Sequence, residues 1–261
     1  MADQMGQSNS SPEQREVKDY LTRVHSLAAG HDGQLVLCSY GQDPDTGKDI
    51  RPKIRRFDIG DIDVMCDTAL EWKREDHRNV YLPLSLVRSD LKQNQRGSAS
   101  DILWTLGLVA DFDDENARDY RKRLPVYPDM VLETSPGRFQ AFYFFNEPQR
   151  PADVDDIALG LQEFAACDHG TKDLAHVWRI PGTLNWPNQK KVQGGRRKPP
   201  VRVDIAEKPW MEERGETKTR PEYIRQGLAQ PKPKVVQVAK VESVPMEPKV
   251  VQVAKVESVP M

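Results

Sequence analysis

The sequence predicts an α+β domain on a partly antiparallel sheet, and three observations carry that prediction. Apolar runs of strand character alternate irregularly with amphipathic helical runs, without the strict strand-helix-strand order of a doubly wound parallel sheet. A turn cluster, GQDPDTGKD, joins two strand-like runs near the amino end. A Ser135-Pro136-Gly137 turn joins two more in the middle of the chain, a hairpin signature.

Residues 1 to 11 are small and polar and are expected to be flexible. Ser11, followed by Pro12 and Glu13, reads as a helix N-cap with proline at the first helical position, and that helix runs to Gly30. Gln34 to Tyr40 is a short apolar strand and Ile54 to Phe57 its return. From Ile59 to Trp72, Ile62, Met65, Cys66, Ala69 and Trp72 recur at helical spacing. Asn79 to Arg88 reads as one strand in which Pro83 implies an edge position or a bulge. Ile102 to Phe112, the most hydrophobic stretch, is a central strand that ends abruptly in acid. A short helix over Glu115 to Arg123, strands Met130 to Glu133 and Phe139 to Phe145, a helix over Asp153 to Ala166 and a last strand Val201 to Ile205 complete the domain.

The 261 residues suffice for one large domain or two small ones. The organisation expected is a catalytic domain over 12–206 and a disordered tail over 207–261, where charged and proline residues lack apolar periodicity. Within that tail 232–246 and 247–261 form a tandem repeat differing only at the first position, too few copies for a solenoid and read as a duplicated linker. A formal net charge of −2 gives no global sign of nucleic acid, so any such contact rests on local basic patches. Cys38, Cys66 and Cys167 form no C-x-x-C pair and read as reduced thiols of a cytoplasmic protein without structural zinc. No signal core and no run of about 18 apolar residues is present, so no membrane partner is expected.

Three constellations carry chemistry. In the first, VADFD, residues i and i+2 of a strand point to one side, so Asp111 and Asp113 bring two carboxylates together at the end of a buried element. Like charges that close repel unless a cation lies between them, and Mg²⁺ is commonly held by one or two carboxylates plus substrate phosphates. The bland alternative is that Asp113 caps the following helix while Asp111 faces water. In the second, Glu133 to Gln140, the Gly137 turn, Ser135 and Arg138 present donors suited to a phosphate. Gln140, a neutral amide opening a very apolar strand, requires a buried partner. The alternative is an ordinary hairpin. The third runs from Cys167 through Asp168 and Asp173 to WRIPGTLN, offering a further carboxylate, Arg179 for a triphosphate and Asn185 for hydrogen bonding. The alternative is that Arg179 serves structure alone, paired with a nearby carboxylate such as Asp173. Lys190, Lys191, Arg196, Arg197 and Lys198 then form a basic loop suited to a nucleic-acid backbone, or else a solvated charge run.

In this order, VADFD, SPGRFQ and WRIPGTLN resemble the archaeo-eukaryotic primase superfamily, in particular its RepB-like branch of plasmids and phages, over roughly residues 75 to 190. The resemblance implies an RNA-recognition-type sheet as catalytic core with an extra α/β unit before it. It also implies Asp111 and Asp113 as metal ligands, with Asp168, preferred over Asp173, as the third carboxylate. Gln140 stands where many relatives carry a histidine that contacts nucleotide phosphates. The function implied is a DNA primase that joins nucleoside triphosphates on a single-stranded DNA template by two-metal catalysis with Mg²⁺ or Mn²⁺, for plasmid or phage replication. Arg179 and Arg138 would then neutralise the triphosphate while the Lys190 to Lys198 cluster tracks the template. No G-x-x-x-x-G-K-[ST] loop occurs, so unwinding is expected from a separate helicase. Two rivals remain: a replication initiator that binds nucleic acid without catalysis, and a D-x-D phosphohydrolase, the latter weakened because Asp114 and Glu115 follow Asp113 with no threonine pair.

Overall fold

Ser11 opens the first helix as its sequence requires. Its hydroxyl accepts the Gln14 N–H at 3.2 Å and Gln14 Oε1 accepts the Ser11 N–H at 2.8 Å, a reciprocal cap that satisfies two otherwise orphaned donors. The computed structural model describes residues 11–92, 94–207 and 219–231. Helix α1 (Pro12–Ala28) leads into β1 (Leu35–Gln42), β2 (Asp49–Phe57), α2 (Ile62–Lys73), β3 (Arg78–Leu82) and β4 (Ser85–Val87). Then follow β5 (Ile102–Phe112), α3 (Tyr120–Arg123), β6 (Met130–Ser135), β7 (Arg138–Gln149) and α4 (Pro151–Ala165). The remainder comprises β8 (Trp178–Arg179), β9 (Leu184–Asn185), α5 (Gln189–Gln193), β10 (Val201–Arg202), β11 (Asp204–Glu207) and α6 (Pro221–Leu228).

The strands form two main sheets, β2-β1-β3-β8 and β11-β6-β7-β5-β4, beside a small β9-β10 pair. All strand pairs are antiparallel, as an α+β chain with hairpin turns should be. Pro83 is where the sheets part. The single strand expected over Asn79 to Arg88 is two, because proline cannot donate a ladder hydrogen bond and the chain leaves one sheet at Leu82 to enter the other at Ser85. The Gln34–Val87 bridge, with N–H···O contacts of 2.9 and 3.0 Å, ties the sheets at this crossing. Val201 to Ile205 is likewise split, β10 pairing with β9 and β11 with β6.

Alternation along β7 divides the core in two. Phe142 and Phe144 face the core shared with α1, α2 and the four-stranded sheet, where Leu21, Val24, Met65, Leu82 and Trp178 are buried. Ala141, Tyr143 and Phe145 face α4 and α6, against Val154, Ile157, Leu161 and Ile224. Each fully buried large apolar side chain contributes about 1.5–3 kcal/mol, so both sides hold the sheet. The tail expectation needs correcting. Residues 219–231 are ordered, Ile224 of α6 is fully buried, and Phe145 forms a parallel bridge to Thr219. Their charged composition hid a short amphipathic helix whose one apolar face suffices against α4. The tandem repeat, and residues 1–10 of the amino-terminal segment expected to be flexible, lie outside the described residues. Among the described residues no helix is long and apolar enough to cross a membrane.

Candidate active site between the two sheets

Strand β5 carries Asp111 to the rim of the shared core, directly opposite Gln140 of β7. Burial pushes the Asp111 carboxyl up to about 7, and the charges of Asp113 and then Asp168 add to the rise, while a Gln140 hydrogen bond and the Arg179 charge oppose it. The i, i+2 reading thus brings Asp111 and Asp113 onto one side. Asp113 is exposed beyond the strand end, with Arg138 Nε at 3.1 Å and Lys191 Nζ at 3.3 Å. It does not cap a helix, since Asn116 and Asp119 occupy the cap positions of the turns that follow.

The two candidates for a third carboxylate differ in position. Asp168 donates its backbone N–H to the Asp111 carbonyl at 2.8 Å and its charge reaches the Asp111 carboxyl. Thr171 Oγ1 also accepts the Asp111 N–H at 3.3 Å, so the 168–171 turn is stitched to the end of β5. Asp173 instead accepts the Ala175 N–H at 2.9 Å and acts on His176. Among the described residues no three His, Cys, Asp or Glu side chains converge tightly enough to chelate an ion. The donors nonetheless suit a hard divalent cation: Asp111, Asp113 and Asp168 offer only oxygen, and the charges of Asp113 and Asp168 add to the burial that raises the Asp111 carboxyl, a repulsion a cation relieves.

The opposite wall comes from the four-stranded sheet. Arg179 pairs with Tyr81 across β8 and β3, and its guanidinium lies 4.5 Å from the Tyr81 ring centroid. Its backbone N–H donates to Gln140 Oε1 at 3.2 Å. Gln140, 6% exposed, therefore has the partners its burial demanded, Arg179 on one side and Asp111 on the other. Arg179 Nη1 is buried and has no hydrogen-bond partner, and among the described residues no carboxylate forms an ion pair with it, so the pairing with Asp173 is absent. Arg196 sits beside it: burial and then the Arg179 charge lower its pKa, and its Nη2 donates to the Asn185 carbonyl at 3.1 Å. The buried Nη1 of Arg179 and the half-buried Arg196 thus bring two positive charges together, an arrangement that an anion between them would stabilise.

The remaining candidates divide. Asn185 is buried with Nδ2 on the Thr134 carbonyl at 2.5 Å and Oδ1 without a partner, so it fastens β9 to the β6–β7 hairpin. Ser135 is 8% exposed at that turn, which Gly137 closes at φ 73°. Arg138 reaches back to the Asp114 carbonyl at 2.6 Å as well as to Asp113. Lys190 and Arg197 are exposed, and Lys198 pairs with Asp45 of the β1–β2 turn. The charge run is thus divided: Lys191 and Arg196 face the acidic cluster and the Arg179 wall. Tyr81 and Thr171 are the neighbours that sequence reasoning missed. Tyr81 carries no motif, and only an aromatic residue on a strand facing an arginine-bearing partner strand marks it.

Residues 107–219 match the family model of the RepB DNA-primase N-terminal domain. None of the curated proteins matches the chain by sequence. Among solved structures, the AEP domain of the cyanophage S-2L primase-polymerase superimposes with a TM-score of 0.56 at 14% identity, covering 82% of this chain and 97% of that one. The primase RepB′ superimposes with a TM-score of 0.51 at 17% identity, covering 81% of this chain and 62% of that one. At these identities the two likenesses concern the fold.

Proposed function

We propose that this chain, whose residues 107–219 match the RepB DNA-primase N-terminal domain, is a replication primase that joins nucleoside triphosphates on a single-stranded DNA template of a plasmid or phage. The observation that carries this reading is the unpartnered, buried Nη1 of Arg179 facing the Asp111 side of the crevice, with Arg196 beside it. A group left in that state is stabilised when an anion arrives, and a triphosphate is an anion large enough to meet both arginines.

Asp111, Asp113 and Asp168 would hold Mg²⁺ or Mn²⁺, which when bound polarises the phosphate and makes the primer 3′-hydroxyl a better nucleophile. The chain's own residues do the positioning. Gln140 fixes the Arg179 backbone at 3.2 Å and holds Asp111 on the facing strand, so both walls keep one spacing. Tyr81 supports the guanidinium plane from behind, leaving Nη1 for the phosphate. Lys191 and Arg138, now on Asp113, can exchange that carboxylate for phosphate oxygens as substrate enters. Lys190, Arg197 and Lys198 lie on the outer side of the same loop, suited to the template backbone.

The ion pairing of Asp113 also favours a second reading, a replication initiator that binds DNA without catalysis. Template-directed synthesis with labelled triphosphates on single-stranded DNA separates the two. We expect extended product with Mg²⁺ or Mn²⁺ that disappears in Asp111→Asn and Asp113→Asn while each variant stays folded. DNA binding without product from the unmodified chain would establish the initiator instead.

A further inference from the structure

Strand β2 is the outer strand of the four-stranded sheet, and Arg51, Lys53, Arg55 and Arg56 place four cations within six residues of it, in a chain whose net charge is −2. Beside it lies an open trough of about 800 Å³ lined by Arg51, Lys53, Arg55, Trp72, Arg78 and Asn94. A second trough, of about 510 Å³, shares Ile54 and Asn94 with it and continues past Arg96. Glu75 pairs with Lys53 and Arg78, but among the described residues no carboxylate pairs with Arg51 or Arg55, both exposed. Arg55 is held over the Phe57 ring at 5.0 Å and donates to Thr68 Oγ1 at 3.0 Å, while the Arg51 carbonyl accepts Arg78 Nη1 at 3.0 Å, so the backbone and one guanidinium are already fixed.

We infer that the β2 edge and its trough form a second landing surface for single-stranded nucleic acid, beyond the template path that the primase reading assigns to the Lys190–Lys198 loop; the inference rests on that reading. The β1–β2 turn lies between the two basic surfaces. There Gln189 of α5 donates its N–H to Gln42 Oε1 at 3.0 Å and its side chain to the Asp45 carbonyl at 3.2 Å, and Lys198 pairs with Asp45. That turn carries Asp43, Asp45 and Asp49 beside Lys48 and Lys198, so the cations of the α5 loop and those of β2 form two separate patches on either side of it. The 9 residues of β2 give the second patch a length of roughly 30 Å.

Charged edge strands also guard sheets against pairing with other chains, and Pro52 serves that end. Arg56 is held on the other face by Gln34 and the Leu91 and Lys92 carbonyls; guarding asks only for charge of either sign, whereas Arg51, Lys53 and Arg55 at alternate positions beside the trough are all positive, which complements a phosphate backbone. The same argument excludes the chain's own tail as occupant, since the repeat beginning at Lys232 brings Lys232, Lys234 and Lys240 against a single Glu242 to an already cationic edge.

The test is fluorescence anisotropy of a fluorescein-labelled oligothymidine with the full chain, across a salt series, with thermal melting of each variant. Arg51→Gln/Arg55→Gln should weaken binding about tenfold and flatten the log–log salt slope by about 1.4, the value for two lost phosphate contacts on a single strand, while keeping a cooperative melt with a Tm lowered only by the loss of the Arg55–Thr68 hydrogen bond. Arg51→Lys/Arg55→Lys should restore both affinity and slope. An unchanged affinity and slope in the glutamine variant would overturn the inference and leave the primase reading intact. A full chain that binds no oligothymidine at low salt would overturn both. Tighter binding after deletion of 232–261 would show the tail on this edge and overturn the inference as well.

Discussion

The Gln140 side chain joins the two walls of the crevice: it hydrogen-bonds Asp111 on the neighbouring strand and accepts the Arg179 N–H at 3.2 Å from the other sheet. An amide does this because it is at once donor and acceptor, giving a hydrogen to the carboxylate and an oxygen to the backbone. A hydrophobic residue of the same length does neither.

Gln140→Met should therefore lower fold stability by about 1–3 kcal/mol, the cost of leaving a buried N–H and carboxylate without partners. Primer synthesis should fall further than the loss of stability explains, because the spacing of the walls is no longer set. Urea denaturation beside the synthesis assay checks both; an unchanged midpoint would mean that the two hydrogen bonds contribute nothing.

Arg179→Lys should raise the nucleotide KM roughly tenfold, since a point-charge ammonium cannot reproduce a guanidinium fork stacked on Tyr81. Single-stranded DNA affinity should barely move. A nucleotide titration at saturating template, with a salt-dependent DNA-binding curve alongside, decides it. An unchanged KM with a weaker, less salt-sensitive DNA complex would reassign Arg179 to the template.

Asp129 is fully buried, and burial pushes its carboxyl up to about 6, although Thr219 Oγ1 at 2.8 Å and the Phe144 N–H at 2.7 Å favour its charged form. A carboxyl whose pKa is higher folded than unfolded binds its proton more tightly in the native state. Its contribution is thus full below about pH 4 and is lost as pH rises to about 6, by roughly 3 kcal/mol. Asp129→Asn, which keeps an accepting oxygen and cannot ionise, should gain stability relative to the unmodified chain between pH 4 and pH 7. Chemical denaturation at both pH values checks this, and a difference independent of pH would refute it.

Ending the chain at residue 231 should leave Tm unchanged, whereas ending it at 218 removes α6 and uncovers the Val154–Leu161 face of α4. The substitution Ile224→Ala should by itself cost about 2–5 kcal/mol. Urea midpoints for the three proteins would rank them, and equal midpoints would place the folded boundary at 207 after all.

The sequence by itself determined the α+β class, most element positions, and the placing of two carboxylates at the D-x-D strand end, because these depend on local rules: side-chain period, proline and glycine turn geometry, and an N-cap read from Ser11 and Pro12. It also marked Gln140 as needing a partner but could not name one, since both partners lie on other strands. Tertiary structure alone decided that Pro83 splits one apolar run between two sheets, that Asp168 and not Asp173 lies beside Asp111, and that Arg196 leaves the basic loop to join Arg179. It decided too that a charged segment closes the core through Ile224. The physical reason is common to all four: each is a contact between residues far apart in the chain, fixed by which apolar faces must be covered and which buried polar atoms must be satisfied, and no local pattern encodes that.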